Sequence, residues 1–110
     1  MKLPNRKSVH IPTSKLEGYL LSITHTFGKS KAKYFRINGF NETNLEIFKR
    51  ELENISLNNE IKERFSTSYG EKFIIDGIIN TPKGGNIMVR TVWIIENGEK
   101  NPRFVTAYPA

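Results

Sequence analysis

The apolar residues of this chain change period near residue 62, and the change divides it into two kinds of structure. Beyond that point the sequence is β in character. Ile87 to Ile95 is rich in β-branched residues and carries Trp93, the strongest strand signal in the chain. Asn97-Gly98 follows as a hairpin turn, and Arg103 to Tyr108 reads as the returning strand. Phe73, Ile74, Ile75, Ile78 and Ile79 form a strand around Asp76-Gly77, closed by a turn at Pro82-Lys83-Gly84-Gly85, and residues 62–69 allow a further strand.

Before residue 62 the spacing is helical. Ser14-Lys15-Leu16-Glu17 has the form of a capping box, followed by Leu16, Tyr19, Leu20, Ile23 and Phe27 at helical intervals. Lys31 to Ile37 predicts a short second helix stopped by Gly39. Thr43-Asn44-Leu45-Glu46 is a second capping box, opening a helix with the apolar stripe Leu45, Phe48, Leu52, Ile55. The expected fold is α+β: N-terminal helices packed on a twisted antiparallel β-meander of about four strands. All 110 residues form one domain, with an irregular arm at 1–12, a helical part at 13–57 and the sheet at 62–110.

Charge is unevenly placed. The formal net charge is +6. Residues 1–40 carry Lys2, Arg6, Lys7, Lys15, Lys29, Lys31, Lys33 and Arg36 against Glu17 alone, a local +7. Residues 41–64 sum to −2 and residues 65–110 to +1. The cluster Lys29 to Arg36 fits either a polyanion, whose counterions it would release, or a solvated helix face. In the first case Lys29, Lys33 and Arg36 are the RNA-binding candidates. No apolar run approaches the roughly 20 residues of a membrane span. The basic N-terminus lacks the apolar stretch of a signal peptide, so a soluble cytoplasmic protein without membrane contact is expected.

Polar residues inside the sheet part carry the functional signal. With a two-residue Asn97-Gly98 loop, Val92 opposes Arg103 and Arg90 opposes Val105. Arg90 and Arg103 then share one face as diagonal neighbours, and Thr91 and Thr106 share the other with Trp93, Phe104 and Tyr108. An odd loop length would reverse that partition. A strand arginine is costly to bury unless it is paired or faces a polar ligand. An open face, or pairing with Asp76, is the structural alternative.

Several chemistries are disfavoured. There is no cysteine, which removes a disulfide scaffold, a thiolate zinc site and a thiol nucleophile. Asp76 is the single aspartate, and the glutamates lie mostly on the third helix and in turns, so no two-metal constellation is legible. His10 and His25 are too few for a histidine zinc site, and neither a structural metal nor a cofactor is expected. Gly28-Lys29-Ser30 matches only the end of a phosphate-binding loop, because Ile23 stands where its first glycine belongs. RNA cleavage needs none of these, since the 2′-hydroxyl is the nucleophile. A base, an acid and cations around the phosphorane complete the site. His25 titrates in the right range. Lys31, Arg90 and Arg103 can stabilise charge, and Thr91, Thr106 or Tyr108 can position the phosphate.

The string His25-Thr26-Phe27-Gly28-Lys29-Ser30-Lys31-Ala32-Lys33-Tyr34-Phe35, with Gly39-Phe40, resembles a bacterial family of uncharacterised small domains. So do Tyr69-Gly70-Glu71-Lys72-Phe73, Asp76-Gly77, Arg90 to Ile95, and the ending Pro102-Arg103-Phe104-Val105-Thr106-Ala107-Tyr108-Pro109. The match runs from about residue 10 to the C-terminus. The order of elements and the ending are similar to the barnase–EndoU–colicin–RelE ribonuclease superfamily. That resemblance implies a small α+β ribonuclease acting without metal, often a toxin of a toxin–antitoxin or contact-dependent inhibition system. It implies His25 and Lys31 from the helical part, and Arg90, Thr91, Arg103, Thr106 and Tyr108 from the sheet. The departure is the lack of a second well-placed histidine. An acidic antitoxin or immunity protein is the implied partner beside RNA. A non-catalytic RNA-binding module and an antitoxin- or immunity-type interaction domain stand as the alternatives.

Overall fold

A computed structural model describes residues 1–22, 24 and 29–110. Helical segments come first and a four-stranded antiparallel sheet follows, in the spatial order β1-β2-β3-β4. The strands are β1 (Glu63–Thr67), β2 (Gly70–Asn80), β3 (Asn86–Glu96) and β4 (Arg103–Pro109). Ser68 and Tyr69 make the tight β1–β2 turn, since Thr67 pairs with Gly70. The α+β meander is therefore as the sequence predicts. No helix among the described residues is long and apolar enough to cross a membrane.

The helical part departs from the expected capping. α1 (Thr13–Lys15) starts after Pro12, with no side-chain cap, so the Ser14–Glu17 box does not form. It runs into a π-turn, Leu16–Leu20, in which the Leu21 N–H reaches the Leu16 carbonyl at 2.8 Å. The widened turn brings Leu16, Leu20 and Leu21, spaced four and five apart, all into the core. Ile23 and Phe27, expected on the same stripe, lie outside the described residues.

α2 (Lys29–Ile37) begins two residues earlier than the pattern predicts. It ends in a Schellman motif: the Gly39 N–H bonds the Arg36 carbonyl and the Phe40 N–H bonds the Phe35 carbonyl. Gly39 takes φ 100°, which a side chain would oppose. Phe40 then packs on Phe35 and Phe48. α3 (Leu45–Asn58) is entered through a short 3₁₀ turn, Glu42–Asn44. The capping box there uses Asn41 and Asn44, not Thr43 and Glu46. Asn41 accepts from the Thr43 N–H while the Asn41 N–H donates to Asn44 Oδ1. The spacing is that of the expected box, moved two residues upstream.

The core lies between the helices and one face of the sheet. Phe48, Leu52 and Ile55 of α3 meet Phe73, Ile75, Ile79, Val89, Trp93, Phe104 and Ala107. α3 sits so close to β2 that a Cβ on Gly77 would lie 2.9 Å from Ile55 and 2.8 Å from Asn59. The N-terminal arm belongs to the fold. Leu3 and Ile11 are fully buried, and His10 forms a parallel bridge to Arg103 at the outer edge of β4.

The last hairpin corrects the predicted register. Residues 97–102 form its loop, so Arg90 opposes Tyr108, Val92 opposes Thr106 and Ile94 opposes Arg103. A bulge at Val105 breaks the ladder between Val92 and Trp93. One extra residue changes the face of everything beyond it. Thr106 and Tyr108 therefore turn away from Thr91, Trp93 and Phe104 and join Arg90 on the face opposite the helices.

Candidate functional site

The face of the sheet away from the helices is organised in rows across three strands. The first is Lys72–Ile94–Arg103, the second Ile74–Val92–Thr106, the third Asp76–Arg90–Tyr108. Neighbouring rows lie two residues, about 7 Å, apart along a strand. Arg90 and Arg103 share this face, as expected, but one row lies between them and they are not diagonal neighbours.

Helical residues reach this face at the β4 edge and build a polar cluster there. The Lys31 ammonium on α2 donates to the Tyr19 hydroxyl at 2.9 Å, and the Thr106 hydroxyl stands 3.4 Å from the same oxygen. Lys31 also lies 5.2 Å from the Tyr19 ring centre and 6.0 Å from that of Tyr108. Burial alone would raise the Tyr19 pKa. The hydrogen bonds from Lys31 and Thr106, with the charges of Lys31 and Lys15, outweigh it and bring the phenol below its ordinary value. The cluster thus makes this phenol a stronger acid than a free tyrosine.

Arg90 stands in the next row, gripped by Asp76 in a bidentate pair of 2.8 and 2.9 Å. That hydrogen bond is the main reason the Asp76 carboxyl is held below its usual range, with the charges of Arg90 and Lys62 adding to it against burial. The same bond raises the Arg90 pKa further. Two of the five guanidinium N–H donors are used, and the rest can meet an anion.

The other predicted residues go elsewhere. Thr91 is fully buried on the helix-facing side. Its hydroxyl donates to the Ile75 carbonyl and accepts from the Trp93 indole, which makes it a link within the core. Arg103 pairs with Glu96 at 3.0 Å, one row from Thr106. Lys29 and Lys33 are exposed on α2. Arg36 instead bonds the Leu21 carbonyl and pairs with Glu42, tying α2 to its neighbours. His25 lies outside the described residues. Among the described residues, no three His, Asp or Glu side chains gather as a metal site would need.

Sequence reasoning misses Tyr19, which reads there as one more apolar residue of a helical stripe. The usable signal is its hydroxyl, which must find a partner when the ring is half-buried.

Among curated proteins, none matches the chain. Its fold is similar to that of a chain in a contact-dependent growth inhibition toxin–immunity protein complex from Klebsiella pneumoniae 342, with a TM-score of 0.73, 15% identity, and 96% of each chain covered. At that identity the likeness is one of fold. A family model matches residues 2–110, virtually the whole sequence, and the chain therefore belongs to that family, described as a domain of unknown function (DUF6883).

Proposed function

We propose that the chain is a metal-independent endoribonuclease of the toxin type, with its cleavage centre at the Tyr19–Lys31–Thr106–Tyr108 cluster. The observation that carries this reading is the Lys31 ammonium set against the Tyr19 hydroxyl on the sheet's outer face, with Thr106 and Tyr108 beside it. In the reaction a base takes the 2′-hydroxyl proton, the oxygen attacks phosphorus, and the 5′-oxygen leaves with a proton from an acid. The products are a 2′,3′-cyclic phosphate and a 5′-hydroxyl. Lys31 and the remaining donors of Arg90 stabilise the phosphorane charge. Thr106 and Tyr108 hold its non-bridging oxygens. Tyr19 is one proton carrier. His25, six residues from both Tyr19 and Lys31 along the chain, is the sequence's candidate for the other. Lys29 and Lys33 track the RNA backbone, and Arg103 acts one row away. Thr91 has no place in the set, because the core occupies it.

The shared fold with a chain of a toxin–immunity complex supports a toxin or immunity-type role, and the resemblance to the barnase–EndoU–colicin–RelE superfamily is what favours the nuclease between them. An acidic immunity protein covering the basic edge is the matching partner. The second reading is an immunity-type interaction domain. It is favoured by the carboxylates that already occupy Arg90 and Arg103. Purified protein incubated with total RNA in EDTA separates the two. Cleavage is expected, falling by about 100-fold or more in Lys31→Ala and in Tyr19→Phe at unchanged Tm. No cleavage by the unaltered protein, together with normal growth of cells expressing it, would refute the nuclease and favour the immunity-type domain.

A further inference from the structure

One row from the cleavage cluster, the same sheet face holds a pocket of about 270 Å³. Its floor is apolar, formed by Ile94 and Val105, and three cations line it: Lys15, Lys72 and Arg103. Glu96, paired with Arg103, is the one carboxylate in the lining. Tyr69 stands at its side and is 76% exposed. The ring is open to water, and its backbone is fixed. The Tyr69 carbonyl accepts from the Asn97 N–H at 2.9 Å, and the Asn97 amide donates to the Ser68 carbonyl at 2.8 Å. The ring is thus mounted on two loops tied together. Lys15 joins the pocket to the cleavage cluster, since its ammonium lies 5.3 Å from the Tyr19 ring centre.

We infer that this pocket binds one unstacked base of single-stranded RNA, with Tyr69 as the stacking platform and Lys15, Lys72 and Arg103 holding the adjoining phosphates. The inference rests on the ribonuclease reading and assigns that site its substrate class. An apolar floor with a cationic rim and an open aromatic ring fits a nucleotide: the base needs a flat apolar contact and the phosphate needs cations. The volume is enough for a single base. A duplex presents no free base face, so the pocket selects for loops and single strands. The step of about 7 Å between this row and the Thr106 row lets a neighbouring nucleotide reach the cleavage centre.

The test uses a 2′-O-methyl single-stranded oligonucleotide, which has no 2′-hydroxyl nucleophile and so reports binding alone. The unaltered protein should bind it, and bind the matching duplex at least about 10-fold more weakly. Tyr69→Ala should weaken single-strand binding by roughly 10-fold, and Tyr69→Phe should restore it, because stacking needs the ring and not the hydroxyl. Lys72→Ala should lower the log–log salt slope by about 0.7. On cleavable RNA Tyr69→Ala and Lys72→Ala should each raise KM and leave kcat unchanged. Binding and KM unaffected by Tyr69→Ala and Lys72→Ala, in a protein that still cleaves RNA, would overturn the pocket and leave the nuclease standing. Tyr69-dependent binding without cleavage would support the pocket and sink the nuclease. Equal binding of duplex and single strand, no RNA binding at all, or Lys72→Ala weakening only the hold on an acidic protein partner would each overturn the inference.

Discussion

Asp76 shows how a single residue can serve both stability and the proposed site. Its carboxylate holds the Arg90 guanidinium from two directions and is itself held below the ordinary carboxylate pKa, first by that hydrogen bond and then by the charges of Arg90 and Lys62. A depressed pKa in the folded state means the ionised form stabilises the fold. The contribution is present in full above the unfolded value of about 3.9 and is lost as pH falls through the folded value. Asp76→Asn should therefore lower Tm near neutral pH, and the gap to the unaltered protein should close at pH values below about 3.9. Thermal melts across that range check it, and a gap that persists unchanged in acid would contradict the pairing. The same substitution frees Arg90 from its anchor, so RNA cleavage should also fall.

At the scale of elements, the Val105 bulge decides which side chains meet. The strands themselves are legible from β-branched runs and turn residues, and so is the α3 stripe of Phe48, Leu52 and Ile55. The bulge is not legible, because it arises from how a six-residue loop and the His10 edge bridge set the register of β4. For that reason Lys31, Arg90, Thr106 and Tyr108 could be nominated as site residues but not assembled, and Thr91 could not be separated from them. The capping boxes misled for a local reason: Pro12 fixes where α1 starts, and Asn41 and Asn44 outcompete Thr43 and Glu46 for the free amides. Deleting Val105 should remove the bulge and keep Thr106 opposite Val92 and Tyr108 opposite Arg90, so that both stay on the outer face. Cleavage should therefore survive the deletion, and its loss in a protein that still folds would contradict the register. Where α3 crosses β2, Gly77→Ala places a methyl within 3 Å of Ile55 and Asn59. It should destabilise by about 1–3 kcal/mol in urea unfolding. No loss would mean that α3 yields there at little cost.

Over the whole molecule, the charge of the first forty residues does not stay with the helices. Lys15 and Lys31 come from the helical part and reach the outer face of the sheet, which carries Lys72 on β2, Arg90 on β3 and Arg103 on β4. The arm that looks irregular in sequence is what anchors the β4 edge, through buried Leu3 and Ile11 and the His10 bridge. A radius of gyration of 13.4 Å, close to the roughly 13 Å of a compact 100-residue domain, agrees with an arm packed into the body. A basic face of this kind draws polyanions from a distance, so association should slow as salt rises. The central claim is the chemistry on that face, and the chemical ends of the cleaved RNA test it most directly. Digestion in EDTA should leave 2′,3′-cyclic phosphates and 5′-hydroxyls, at a rate that collapses in Lys31→Ala. Products ending in 5′-phosphate and 3′-hydroxyl, or cleavage only when a divalent cation is supplied, would contradict the account.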